Sequence, residues 1–164
     1  MKITIVAVGG VRDNDLKKRI QQYSRRLSVY CRIQLIEVRE EKTREVQGLS
    51  EQGRNLEGAR ILSHIGDGDY VIALANEGHI WSPRMLSNEL DRLVMEGRSQ
   101  ITLVMGGEHG LSAEVLERAN AQLAICQTAF PHQLLRLVLM ERVYRAFQCS
   151  LGEPIHRMGK NKNG

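Results

Sequence analysis

Residues 101–119 read ITLVMGGEHGLSAEVLERA, which places an apolar run, a glycine-rich turn and a helix start in direct succession. Ile101, Thr102, Leu103, Val104 and Met105 form a nearly unbroken apolar run, the pattern of a strand covered on both faces of a parallel sheet. Gly106, Gly107 and Gly110 lack a Cβ, so the backbone there can turn sharply and come close to a ligand. Ser112 stands where a helix N-cap is expected, and Glu114 falls in the first turn, where a negative charge is favourable. A strand, a glycine turn and a helix in this order predict a ligand crevice at the carboxyl end of a central strand. The spacing is not G-x-G-x-x-G and no P-loop lysine follows, so neither common phosphate-binding fingerprint is present.

Working outward, residues 2–8, KITIVAV, read as a first strand punctuated by Gly9-Gly10. Asp13 or Asn14 can cap a helix in which Leu16, Ile20, Tyr23, Leu27 and Tyr30 recur at helical spacing, with Lys17, Lys18, Arg19, Arg25 and Arg26 mostly elsewhere on its surface. Residues 33–38 form a second strand, and 39–44, REEKTR, a charged loop of mixed sign with no evident chemistry. From about residue 50, Leu56, Ala59, Leu62 and Ile65 mark the apolar side of another helix, closed by Gly66 and the turn Asp67-Gly68. Residues 70–75, YVIALA, are a third strand, followed by a polar turn, Asn76-Glu77-Gly78-His79. Ser82 and Pro83 then start a helix that carries Leu86, Leu90 and Leu93 on one face and stops at Gly97. Residues 122–127, QLAICQ, make a short fifth strand. Strands alternating with helices predict an α/β fold with a mainly parallel sheet and helices on both faces.

The whole length, residues 1–164, fits one domain large enough to bury a core without disulfides or metals. With 42% apolar and 26% charged residues the chain is ordinary globular material, and at a net charge of +4 the placement of charge matters more than its sum. Cys31, Cys126 and Cys149 are odd in number and far apart, so neither a disulfide framework nor a metal site is expected, and reduced cytosolic thiols are. No apolar run reaches membrane-spanning length and the first residues do not read as a signal peptide.

Residues 132–149, HQLLRLVLMERVYRAFQC, are apolar over far more than one stripe. A helix of that kind sits at the centre of a fold or buries one side against another chain, and a homodimer is the expected outcome. Within it, Arg136 and Arg145 are candidates for buried pairing with Glu141 or for reaching nucleic acid. The tail, GEPIHRMGKNKNG over residues 152–164, is polar and carries His156, Arg157, Lys160 and Lys162.

Taken together, Val6-Ala7-Val8-Gly9, Trp81-Ser82-Pro83, Gly106-Gly107-Glu108-His109-Gly110-Leu111-Ser112, Phe130-Pro131-His132, Val143-Tyr144-Arg145-Ala146 and Pro154-Ile155-His156-Arg157 resemble the ribosomal RNA large subunit methyltransferase H family of the SPOUT superfamily, over essentially the full length. The resemblance implies a SPOUT-type sheet with a C-terminal trefoil knot that cradles S-adenosylmethionine, a rare exception to the rule that connections do not thread loops. It also implies a cytoplasmic homodimer that methylates N3 of a pseudouridine in 23S rRNA of the assembled ribosome, without a metal or a membrane.

Carried over by position, the resemblance implies cofactor contacts at Leu74, Ala75 and Gly107 and along Cys126, Gln127, Thr128, Ala129, Phe130 and Pro131. In that role Cys126 is a small packed residue rather than a nucleophile, since no base for it can be identified. The family's tail usually reads Pro-Tyr-His, whereas this chain has Pro154-Ile155-His156-Arg157 and therefore no tyrosine hydroxyl. His156 is then the candidate for proton handling and Arg157 for phosphate or base contact. His132, His109 and Glu108 have structural readings at least as good as chemical ones. Two other functions compete: a nucleotide-binding α/β enzyme using either glycine turn, and a non-catalytic RNA-binding or ribosome-associated module that kept the fold, favoured by the missing tyrosine.

Overall fold

A computed structural model of the chain describes residues 1–42, 49–125 and 132–149. Among these residues five strands, β1 (Lys2–Val8), β2 (Arg32–Val38), β3 (Tyr70–Ile80), β4 (Gln100–Met105) and β5 (Ala121–Ala124), form one sheet in the order β2-β1-β4-β3-β5. Every neighbouring pair is parallel. The helices are α1 (Asn14–Leu27), α2 (Leu49–Leu62), α3 (Pro83–Met95), α4 (Ala113–Arg118) and α5 (His132–Cys149).

The period of two along each strand divides the core. Ile3, Ile5, Ala7, Ile101, Leu103 and Met105 point to the face where Ile20 and Leu27 of α1, Leu86, Leu90 and Leu93 of α3, and Leu139, Met140 and Val143 of α5 are packed. Val6, Val8, Val71, Ala73 and Val104 point to the other, where they meet Ile61 of α2 and Val115 of α4. A strand apolar at nearly every position, such as β4, is what a sheet covered on both faces requires.

The expected caps are in place. Asp13 accepts from the N–H groups of Asp15 and Leu16 at 2.8 and 3.1 Å, Ser82 from that of Met85 at 3.2 Å, and Ser112 from that of Val115 at 3.2 Å. Gly97 follows α3 with φ +76°, the left-handed conformation that favours glycine after a helix.

Three expectations about elements are corrected. The polar stretch 76–79 is not a turn outside the sheet: β3 runs on to Ile80, shifts register between Leu74 and His79, and pairs again at His79–Leu123 and Ile80–Ala124. Gly78 permits this, because a Cβ there would lie 2.9 Å from the Leu123 carbonyl carbon. Helix α2 does not bury the face marked by Leu56 and Ala59; Leu56 is 52% exposed, while Gly53, Glu57, Gly58 and Ile61 are buried. The two glycines let the helix approach its neighbours more closely than a leucine face would, and a Cβ on Gly58 would collide with the Ser112 hydroxyl. Finally, β5 closes at Ala124, and the remainder of the expected strand beyond residue 125 lies outside the described residues.

Candidate active site

Because β1, β4, β3 and β5 are all parallel, their carboxyl ends share one edge of the sheet. That edge carries Gly9-Gly10 after β1, Gly106-Gly107 after β4, Leu74 and Ala75 in β3 where its first pairing with β5 ends, and Ala124-Ile125 at the end of β5. Leu74 pairs with Met105, two residues before Gly107, so the described members of the expected cofactor set lie on adjacent strands. Leu74 and Ala75 are half-buried and Gly107 is buried. Cys126, Gln127, Thr128, Ala129, Phe130 and Pro131 lie outside the described residues, and so do His156 and Arg157.

The glycine turn is tight by necessity. A Cβ on Gly106 would stand 2.6 Å from the carbonyl carbon and 2.7 Å from the carbonyl oxygen of Gly110, and a Cβ on Gly107 would stand 2.9 Å from Val8 Cγ1. The Gly110 N–H donates to the Gly107 carbonyl at 3.0 Å, closing the turn, and Gly110 itself has φ +77°. The absent side chains let Gly110 and Val8 pack against the turn, at the carboxyl end of a central strand where ligands bind in open α/β sheets.

Beside this turn a cleft of about 650 Å³ opens between the first turns of α1 and α5. Its floor is Val8, Gly9, Gly10 and Gly107, and its walls carry Leu16, Arg19, Leu134 and Leu137. Arg136 lines the back wall and is almost wholly buried. Its Nη1 donates to Glu37 Oε2 at 2.8 Å and its Nη2 to the Val8 carbonyl at 2.7 Å, while its buried Nε has no partner among the described residues. Burial pushes the Arg136 guanidinium below its ordinary pKa, against the opposing pull of Glu37 and Glu40. Glu37 Oε2 also accepts the Val11 N–H at 2.9 Å, and Gln133 Oε1 accepts the Arg12 N–H at 3.1 Å. The beginning of α5 is thus tied to the turn that follows β1.

Arg145 pairs with Glu141 at 2.8 Å, but at the surface and not as the buried pair expected, whereas the partner of Arg136 is Glu37 and not Glu141. Sequence reading also missed Glu57. It is 1% exposed, its Oε2 accepts the Glu41 N–H at 2.8 Å, and its buried Oε1 has no partner among the described residues. Burial raises its pKa, with the Glu41 hydrogen bond and the charge of His109 opposing. The loop expected to be inert thus holds an acid against the glycine turn, for Glu57 Oε1 lies 3.7 Å from where a Gly107 Cβ would be. Cys31 is buried and its thiol is pushed up to about 11, the inert state of a packed thiol, while Cys149 is exposed. Among the described residues no group of side chains could hold a metal ion, and no helix is long and apolar enough to cross a membrane.

With the edge, the turn and the cleft defined, relatives decide the family. Residues 1–156 match the family described as "Predicted SPOUT methyltransferase". The chain belongs to the SPOUT methyltransferase family. Within it, the chain is 42% identical over 159 residues to proteins named "Ribosomal RNA large subunit methyltransferase H" from Clostridium kluyveri and Bifidobacterium adolescentis, covering 96% of this chain and 100% of each relative. The crystal structure of tRNA (m1G37) methyltransferase from Aquifex aeolicus shares the fold at a TM-score of 0.51 and 12% identity, over 94% of this chain and 74% of that one. This SPOUT chain is therefore an enzyme of the methyltransferase class, and the family is not that of a nucleotide-phosphate enzyme.

Proposed function

We propose that this protein, acting as one domain over its 164 residues, transfers a methyl group from S-adenosylmethionine to N3 of a pseudouridine in 23S rRNA of the assembled ribosome in the cytoplasm. The observation that carries the reading is the bare glycine backbone at the end of β4, next to the half-buried Leu74 and Ala75. The printed name shared by relatives of near-identical length points to large-subunit rRNA as the substrate.

The residues present fit such a cofactor. Gly107 lines the cleft at the end of β4 without a side chain of its own, and Leu74 and Ala75 offer the apolar surface that a flat adenine ring needs. Cys126, Gln127, Thr128, Ala129, Phe130 and Pro131 follow β5 directly and would complete the enclosure. Their wrapping would be the trefoil knot of the superfamily. When bound, the sulfonium supplies an activated methyl group, which is the difficult part of the chemistry. The chain supplies position, which can lower a barrier by about 7–11 kcal/mol when reacting groups are held in line. The imide N–H of the base must lose its proton for the ring nitrogen to react; His156 is assigned that proton and Arg157 the neighbouring phosphate or base. A positioned proton acceptor contributes about 10²–10⁴-fold.

A homodimer is part of the reading. Leu135, Val138 and Tyr144 on α5, which do not line the cleft, stay only half-buried after α1 and α3 have packed against it. Light scattering at micromolar concentration would give twice the protomer mass, and a monomer would remove this element. Lys17, Lys18, Arg25 and Arg26 are exposed on α1 and, with Arg157, Lys160 and Lys162, are the phosphate contacts. Each should contribute about 0.7–0.9 to the slope of log affinity against log salt.

The test is transfer of radiolabelled methyl from the cofactor to ribosomes that lack the modification, followed by mapping of the labelled base. Label at N3 of a single 23S pseudouridine supports the reading. Label elsewhere, or none, overturns it.

A further inference from the structure

Among the described residues, the cleft between α1 and α5 overlaps little with the expected cofactor set. Leu74 and Ala75 do not line it, and Gly107 is the one described residue common to both. The two spaces therefore share a wall made of backbone alone, since Val8 leaves no room for a Cβ on Gly107.

We infer that this cleft receives the substrate base: a pyrimidine ring lifted out of its RNA strand and turned with its N–H edge toward the carboxylates of the rim. The inference rests on the methyltransferase reading of the site and names where its substrate sits. A volume of about 650 Å³ falls in the range of small-ligand pockets. Leu16, Leu134 and Leu137 give the apolar surface on which an extruded base can rest.

The charge of the lining chooses the part of the nucleotide that enters. Asp13, Asp15, Glu40 and Glu108 share the lining with Arg19, and the remaining cation, Arg136, is already ion-paired with Glu37. A phosphate would meet net repulsion there. Ring N–H donors would not, because hydrogen bonds to an ionised acceptor are the strong ones. Pseudouracil has two ring N–H groups where the base of uridine has one, so a carboxylate rim can also tell them apart.

Not every carboxylate is available. Asp13 Oδ1 is occupied by the two N–H groups it caps, and Glu40 lies 3.7 Å from Arg12. The carboxylates of Asp15 and Glu108 have no hydrogen-bond or ion-pair partner among the described residues, and Glu108 adjoins Gly107. Glu108 is thus the acceptor nearest the shared wall. Lys17 and Lys18 of α1, which do not line the cleft, are exposed and suit the phosphates that stay outside.

Two variants of the full chain test this. Leu134→Trp fills the cleft from a position outside the main core cluster, and Glu108→Gln removes the charge of an exposed turn residue while keeping its shape. Three quantities are read at matched thermal midpoint and elution volume: calorimetric affinity for S-adenosylmethionine, co-sedimentation with unmodified ribosomes, and kcat/KM for methyl transfer. Leu134→Trp should lower kcat/KM at least about 100-fold, the scale set by a misplaced reactant, with cofactor affinity and co-sedimentation unchanged. Glu108→Gln should lower it about tenfold, the scale of one hydrogen bond to a charged group, again without loss of cofactor affinity. Wild-type kcat/KM in both variants would overturn the assignment, and loss of cofactor affinity in Leu134→Trp would give the cleft to the cofactor instead. If the wild-type chain itself neither binds the cofactor nor transfers a methyl group, the methyltransferase reading is what fails.

Discussion

Arg136 is almost wholly buried, yet its ion-pair partner Glu37 keeps 42% of its side chain exposed, with Nη1 and Oε2 2.8 Å apart. The pair is therefore asymmetric in what each member would leave behind. Arg136→Met leaves a carboxylate that water can reach and one carbonyl, that of Val8, without its donor. Glu37→Ala leaves a guanidinium inside the protein without its ion-pair partner, with only the more distant pull of Glu40, and the Val11 N–H with no acceptor. Urea unfolding should show a loss of about 1 kcal/mol for the first and about 3 kcal/mol for the second. Equal losses, or the reverse order, would contradict this account of the pair.

The glycine turn gives a sharper contrast. A Cβ on Gly106 meets backbone of Gly110, which has no flexible end to move aside, while a Cβ on Gly68 meets nothing within 4 Å. Gly106→Ala should therefore open the turn and weaken S-adenosylmethionine binding by at least about tenfold, the scale of a strained backbone of about 1–3 kcal/mol. Gly68→Ala should bind the cofactor as the wild type does. Calorimetry on the two proteins side by side decides it.

Glu57 makes stability depend on pH in a defined direction. Burial raises its pKa in the folded chain, whereas in the unfolded chain a glutamate titrates near about 4.3. The stabilisation linked to its proton is full below the unfolded value and is lost as pH rises through the folded one. Glu57→Gln has no proton to lose. The thermal midpoint of the variant relative to the wild type should thus climb as pH rises from about 4 toward and through the raised folded value. A difference that stays constant across that interval would mean that Glu57 does not titrate differently on folding.

His156→Ala should lower turnover on ribosomes by about 10²–10⁴-fold and leave cofactor affinity nearly unchanged, because its assigned task is the proton of the base and not the cofactor. Single-turnover transfer measures the first quantity and calorimetry the second. Equal turnover would take His156 out of the mechanism.

Much of this fold was legible because its signals are local. The run from Ile101 to Met105, the caps at Ser82 and Ser112, and Gly97 after α3 each state their structure within a few residues. Helix α2 was misread because its buried face is made of glycines and an acid, Gly53, Glu57 and Gly58, which a search for apolar periodicity discards. The extension of β3 through polar residues was hidden for a related reason, since pairing with β5 does not need apolar side chains. Partnerships across the chain were beyond sequence reading altogether. Glu37 and Arg136 are separated by 99 positions, and only the order β2-β1-β4-β3-β5 brings the end of β2 near the start of α5. The cleft follows from the same juxtaposition, so its lining is scattered over five segments of sequence.

The central claim is that the glycine turn after β4 forms part of a sulfonium-cofactor site. Titration calorimetry of the folded full-length chain with S-adenosylmethionine tests it most directly. One cofactor bound per protomer, with affinity falling in Gly106→Ala and holding in Gly68→Ala, is the predicted result. Absence of binding at millimolar cofactor, or binding indifferent to Gly106→Ala, would contradict it.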